Sequence, residues 1–163
     1  MKLYHGSLVI VDSPEIRKSE RLLDFGYGFY TTTSLEQAGE WSRKLRVRKN
    51  VDRSFIAEYE FDLEEANKAL KIMKFEGASV EWLQFVCDNR SGRCNENYDI
   101  VIGPVADDSV YEVVRLYELG MYDIDETVKR LKVEELFDQI LFHTDRALKF
   151  LKYVGYREET SGK

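Results

Sequence analysis

His5, in Leu3-Tyr4-His5-Gly6-Ser7, stands 25 positions before Tyr30, in Asp24-Phe25-Gly26-Tyr27-Gly28-Phe29-Tyr30-Thr31-Thr32. Each motif joins a side chain that can hydrogen-bond or stack to a glycine, which has no Cβ to hold a ligand off the main chain. Residues of these types suit a planar ligand gripped by backbone N–H and C=O groups and walled by an aromatic ring. Taken singly, each has an ordinary alternative: a structural histidine at a strand end, a glycine turn, a core tyrosine. The two motifs together at this spacing are the informative feature.

The pair resembles the donor site of ADP-ribosyltransferases, including the poly(ADP-ribose) polymerases, where a first strand carries His-Gly-Ser/Thr and a second carries Gly-x-Gly-Ile/Phe-Tyr. The resemblance implies NAD as the substrate; no metal is expected, because the paired acids Asp107 and Asp108 have no His or further carboxylate at ligand spacing. It gives Gly6 the nicotinamide amide, His5 the hydroxyls of the adenosine ribose, and Tyr30 one wall of the nicotinamide slot, with Gly28 and Phe29 in the same motif. In the polymerases a tyrosine eleven residues beyond the strand tyrosine forms the opposite wall, and that position here is Trp41. An indole offers a larger face for the same contact. The polymerase serine that also holds the amide falls near Ala38, which leaves Ser7 or Thr31 to Thr33 as substitutes. Arg21 precedes Asp24-Phe25-Gly26 and either reaches the NAD pyrophosphate, which suits a guanidinium fork, or is a surface charge on an amphipathic helix.

Cleaving the nicotinamide–ribose bond passes through an oxocarbenium-like state, so the sugar must face an acceptor as positive charge develops. In the superfamily this third residue is commonly Glu and sometimes Gln or Asp, on a late strand. Leu136-Phe137-Asp138-Gln139-Ile140-Leu141-Phe142 has that shape and places Gln139 there. An amide still accepts from a hydroxyl but carries no full charge, which favours mono-ADP-ribosylation over polymer elongation. Asp138, Glu135 and Glu96 are the competing residues; strand alternation turns Asp138 away from the face of Gln139.

Several elements must hold these residues. Lys2 to Tyr4 ends a strand, Glu15 to Leu23 is amphipathic, and Gly26 to Thr32 is a turn into a strand. Ser34 with Gln37 makes a capping box for a helix from Leu35 to about Arg46. Alternation predicts a strand over Phe55 to Phe61. A short helix (63–70), a strand (71–75), a helix (80–89), a strand (98–105) and a helix (107–119) follow. Then come 128–133, a strand (137–142), a helix (145–151) and a last strand around Tyr153. The order is α+β, and the resemblance implies an ADP-ribosyltransferase-like fold of two small packed sheets and short helices. One domain over 1–156 and a frayed polar tail over 157–163 are expected.

With 163 residues and 44% hydrophobic content the chain can bury a core. No apolar run approaches the ~20 residues of a membrane span, and the first motif leaves no room for a signal peptide, so a cytoplasmic protein is expected. Cys87 and Cys94 are seven apart and lack metal-site spacing; two reduced thiols are expected. A net charge of −6 argues against indiscriminate nucleic-acid binding. Residues 43–53 are the basic exception, with Arg43, Lys44, Arg46, Arg48, Lys49 and Arg53 against Asp52. That run is either a solvated helix end or a contact for phosphates or an acidic partner. The polar clusters Asn89-Arg90 and Ala106-Asp107-Asp108 suit helix capping first and acceptor recognition second.

The fuller resemblance is to small bacterial ADP-ribosyltransferase-like proteins with His-Gly-Ser, Asp-Phe-Gly-x-Gly-Phe-Tyr and a later segment like Gly103 to Asp108. It implies an intracellular toxin or effector that places ADP-ribose on a protein or nucleic acid and is paired with a small antitoxin protein. NAD glycohydrolysis and silent NAD or ADP-ribose binding are the alternatives.

Overall fold

In the computed structural model, which describes residues 1–18, 23–93, 97–105, 108–132 and 138–160, short strands fall into two sheets. In the first, β1 (Lys2–Ser7) and β7 (Leu151–Thr160) flank β3 (Arg53–Phe61), all antiparallel. The second runs β2 (Phe29–Thr31), β6 (Asp138–Phe142), β5 (Ile100–Pro104), β4 (Ile72–Lys74), and only its β4–β5 pair is parallel. The fold is thus mixed α+β, with two small sheets and several short helices.

Period-two alternation gives each sheet two faces. Leu3, Tyr59 and Phe61 of the first sheet meet Phe29, Ile100, Ile140 and Phe142 of the second in one buried cluster. Val101 and Leu141 leave the other face of the second sheet. While Ala66 of α2 (Leu63–Ala69) joins the inter-sheet cluster, Val101 and Leu141 pack with Trp82 and Val86 of α3 (Val80–Arg90), Val114 of α4 (Asp108–Glu118) and Leu131 of α5 (Ile124–Leu131). Each such fully buried side chain contributes about 1.5–3 kcal/mol. On the outer face of the first sheet lies α1 (Leu35–Lys49), which buries Ala38, Gly39 and Ser42. The layers therefore run helix, sheet, sheet, helices.

The capping box forms as expected: the Ser34 hydroxyl accepts from the Gln37 N–H at 3.2 Å. The helix runs past Arg46 to Lys49 and stops at Asn50, whose left-handed backbone (φ 50°) suits asparagine. Two expectations are corrected. Residues 157–160 are not a frayed tail but the end of β7, where charge is tolerated because it is paired: Glu158 with Arg53 of β3 at 3.5 Å and Glu159 with Arg43 of α1 at 3.0 Å. The described part of 15–23 is not helical; Val11 and Ile16 pack on the inter-sheet cluster, and the Tyr59 hydroxyl donates to the Val11 carbonyl at 2.5 Å.

Asp99, absent from the sequence reading, ties the second sheet to α6 (Asp145–Leu148). Its carboxylate accepts from Arg146 Nε and Nη2 at 2.8 and 2.6 Å, the Thr144 hydroxyl at 2.8 Å and the Lys71 N–H at 2.8 Å. Burial pushes this carboxyl up, but the Arg146, Lys71 and Thr144 hydrogen bonds outweigh it and hold Asp99 below the ordinary carboxylate range. A depressed acid stabilises the fold above its unfolded value of about 3.9 and loses that contribution as pH falls through the folded value. Asp99→Asn is expected to melt several degrees lower at pH 7 and to show a shallower loss of Tm than the parent below about pH 4. Melting curves across pH check this; equal slopes would remove Asp99 from that role.

Candidate functional site

The two sheets touch where β1 meets the end of β2. The Tyr4 N–H donates to the Thr32 carbonyl at 2.8 Å, and the Thr32 N–H donates back at 3.0 Å. In an antiparallel ladder, residues whose N–H and C=O face one neighbour alternate with residues that face the other. Tyr4 faces β2, so Gly6 faces β2 as well, while Leu3, His5 and Ser7 face β3. The Met1–Phe61 bonds of 2.7 and 2.9 Å on the β3 side fit this parity.

Past the Tyr4–Thr32 pair the ladder does not continue. The Tyr30 carbonyl, which a continued ladder would offer to Gly6, is taken by His5 Nδ1 at 2.7 Å. Among the described residues no hydrogen bond takes up the Gly6 N–H or C=O on that side. The result is a seam in which a buried strand edge presents one donor and one acceptor next to His5 and Tyr30.

A carbonyl can only accept, so His5 Nδ1 carries the proton and Nε2 keeps its lone pair. Burial pushes the His5 imidazole below its usual range, against the raising effect of the Tyr30 carbonyl. The ring is braced by Phe29, with centroids 4.4 Å apart. Phe29 is itself 6% exposed and belongs to the inter-sheet core, which corrects its expected place against the cofactor.

The glycines act differently from the expectation of bare backbone offered to a ligand. A Cβ on Gly6 would stand 2.2 Å from the Ala38 carbonyl oxygen, so its missing side chain admits α1, while its N–H and C=O lie in the sheet plane toward the seam. Gly28 has φ +152° and would place a Cβ 2.3 Å from the Phe142 carbonyl oxygen. It is required by the close approach to β6 in a conformation that suits glycine.

Tyr30 donates its hydroxyl to the Gly26 carbonyl at 2.6 Å and accepts from the Phe25 N–H at 3.3 Å, which stitches the Asp24–Gly28 turn onto β2. Burial raises the Tyr30 phenol well above its usual range, so it is a fixed neutral donor. Arg90 of α3, read from the sequence as part of a capping cluster, secures the same turn. Its Nε is 2.7 Å from Asp24, and its guanidinium lies 4.4 Å over the Tyr111 ring. No local sequence signal points to that contact, since Asp24 and Arg90 are 66 positions apart.

Gln139 follows Asp138 in β6, and alternation puts it on the Tyr30 and Leu141 face. It is 7% exposed, and its Nε2 has no partner among the described residues. Asp138 points the other way and accepts from the Thr33 N–H at 3.1 Å and the Thr33 hydroxyl at 2.7 Å. Two other expected ligand contacts are committed to the fold: the Ser7 hydroxyl donates to the Val9 carbonyl, and the Thr31 hydroxyl to the Ile140 carbonyl at 2.9 Å. Trp41 stands on α1 with 48% exposure and the Arg48 guanidinium 6.0 Å from its ring centre. Arg21, Cys94, Glu96, Ala106, Asp107 and Glu135 lie outside the described residues. Cys87 is buried, and burial with Glu118 nearby pushes its thiol up to about 11.

Among the described residues, no group of three or more His, Cys, Asp or Glu side chains could hold a metal ion, and no helix is long and apolar enough to cross a membrane. Two shallow cavities lie away from the seam, and neither is lined by His5, Tyr30 or Gln139. One, of about 410 Å³, lies between α1 and β7 at Gly39, Arg43 and Glu159; the other, of about 420 Å³, lies at the strand ends near Lys74, Lys132 and Asp138.

Residues 1–153 match the model of a family described as "Protein of unknown function (DUF3990)". The chain belongs to that family. No curated protein and no solved structure matches it.

Two expectations follow for the DUF3990 seam. Gly6→Ala must push the new methyl into helix backbone, and overpacking of that kind costs about 1–3 kcal/mol. Chemical denaturation should show a loss in that range; an unchanged midpoint would mean that α1 yields freely. At pH 7 the His5 ring should appear by nitrogen-15 NMR as the neutral Nδ1–H tautomer. Because its folded pKa is lowered, the stability it confers is present above about pH 6.5 and is lost as pH falls through the folded value. A protonated ring at pH 7 would contradict this.

Proposed function

We propose that this protein is an NAD-dependent mono-ADP-ribosyltransferase acting on a macromolecular acceptor. The observation that carries the reading is the N–H and C=O of Gly6, unclaimed among the described residues, at the seam beside His5 and Tyr30. A primary carboxamide offers the complementary acceptor and donor, so nicotinamide matches that strand edge. The lone pair on His5 Nε2 then accepts from a ribose hydroxyl. Neither cavity reaches the seam, so on this reading NAD opens it, beginning with the exposed Trp41, which closes over the nicotinamide face.

In the reaction the nicotinamide–ribose C–N bond breaks and its electron pair leaves with the nicotinamide nitrogen. A nucleophilic atom of the acceptor bonds to the ribose carbon and releases its proton. The Gln139 amide oxygen accepts from the 2′-hydroxyl, a contact that strengthens as charge builds on the sugar. With no carboxylate at that position, stabilisation of the cation is modest, which fits a single transfer better than chain elongation. The same amide, with Asp138 tied to Thr33, is the observation that favours a second reading, a silent NAD-binding module. Intracellular action as a toxin restrained by a small antitoxin protein rests on the sequence resemblance alone.

Any ligand that prefers the folded state raises Tm by mass action. Millimolar NAD should do so for the parent, and His5→Ala should abolish most of the shift. Gln139→Ala should keep the shift but lower nicotinamide release by about ten- to a thousand-fold, the range seen when one transition-state hydrogen bond is removed. No shift with NAD would end the donor-site reading. A shift with no nicotinamide release under any acceptor would leave the silent module.

A further inference from the structure

Helix α1 carries the basic run of the sequence, and the structure shows how it is aimed. Gln37, Trp41, Lys44 and Arg48 are spaced four, three and four apart, which stacks them in one stripe along the helix. Gln37 fixes which way that stripe faces, because its Oε1 accepts the Thr32 hydroxyl at 2.5 Å, at the point where the two sheets touch. The opposite flank faces β7, where Arg43 pairs with Glu159 at 3.0 Å. The stripe therefore begins beside the seam and runs away from it over the last three turns of the helix.

Its chemistry differs from the rest of the surface. The chain has a net charge of −6, yet here an indole with 48% exposure lies beside a guanidinium 6.0 Å from its centre. Arg48 has no ion-pair partner among the described residues, whereas Arg46, half a turn away, lies on the sheet-facing side of the helix with its Nη1 buried. Glu40, one turn before Lys44, is the acid that borders the stripe. Basic residues in the last turn of a helix also offset its dipole, but that effect asks nothing of an exposed tryptophan two turns earlier.

We propose that this stripe docks single-stranded nucleic acid and that such a strand is the acceptor, an extension that rests on the ADP-ribosyltransferase reading. An exposed aromatic flanked by cations is the combination that binds unpaired bases by stacking and their phosphates by charge, and an indole has two faces, so a base takes the one turned away from the nicotinamide. Bases in a duplex are stacked on each other and cannot reach a ring set against the flank of a packed helix. The acidic remainder of the chain repels a polyanion, which confines it to the stripe and directs it along α1 toward the seam.

The test is fluorescence anisotropy of the full chain with a labelled single strand of about 16 nucleotides, the upper range for one small module. RNA and DNA are run separately, each against its duplex and against poly-glutamate. Lys44→Gln/Arg48→Gln is expected to weaken binding of the single strand by ten-fold or more. It should also make the log–log salt slope shallower by about 1.4, the value for two phosphate contacts on a single strand. Its Tm shift with NAD should be that of the parent. Equal binding by parent and double variant, preference for duplex, or stripe-dependent binding of poly-glutamate in place of the strand would overturn the proposal. Strand binding that needs the stripe in a protein whose Tm ignores NAD would sink the donor-site reading and the acceptor role, and leave the docking surface standing.

Discussion

The hydrogen bond from His5 Nδ1 to the Tyr30 carbonyl, 2.7 Å long, sets the geometry of the whole region. A side chain takes the acceptor that a continuing β1–β2 ladder would have used. Because of it, two sheets that touch at Tyr4 and Thr32 separate one residue later, and a strand edge is left with its polar groups unspent. Buried backbone groups are almost always paired with protein or ordered water, so a donor and an acceptor side by side with no protein partner among the described residues mark a place open to a polar guest.

The surroundings hold that separation open. Phe29 fixes the imidazole from the core side, and the crowding at Gly6 brings α1 onto β1 so closely that only glycine fits. Tyr30, Asp24 and Arg90 lock the turn that feeds β2. Gln139 reaches the same face of the second sheet through an unrelated strand. The register of β2 on β6 thus sets Tyr30 and Gln139 on the face packed by α3 to α5, while Phe29 and the His5 ring lie on the inter-sheet face.

The sequence showed much of this and missed particular parts for identifiable reasons. The Ser34 cap and the opposed faces of Asp138 and Gln139 were legible because alternation and capping are local, whereas the first strand was read only as far as Tyr4 and in fact carries His5 on to Ser7. The roles of Phe29 and Thr31 were misread, since a motif gives a residue's place in the chain and not which face of a strand is buried. The charged end of β7 looked like a tail because what holds it, the ladder to β3 and ion pairs with Arg43 of α1 and Arg53 of β3, lies more than ninety positions away. Asp99 carried no signal at all: its partners Lys71, Thr144 and Arg146 are brought together only by the fold. That the Gly6 edge is unpaired could be read only from the positions of both sheets.

The claim at the centre is that the Gly6 N–H and C=O bind a carboxamide. Amide proton–nitrogen NMR spectra of the labelled protein during titration with nicotinamide alone test it without requiring turnover. The account predicts that the Gly6 amide resonance shifts downfield and saturates, with Tyr30 and His5 following, while the amides of Leu3 and Tyr59 inside the β1–β3 ladder stay in place. Saturable shifts confined to another region, with Gly6 unmoved, would contradict it.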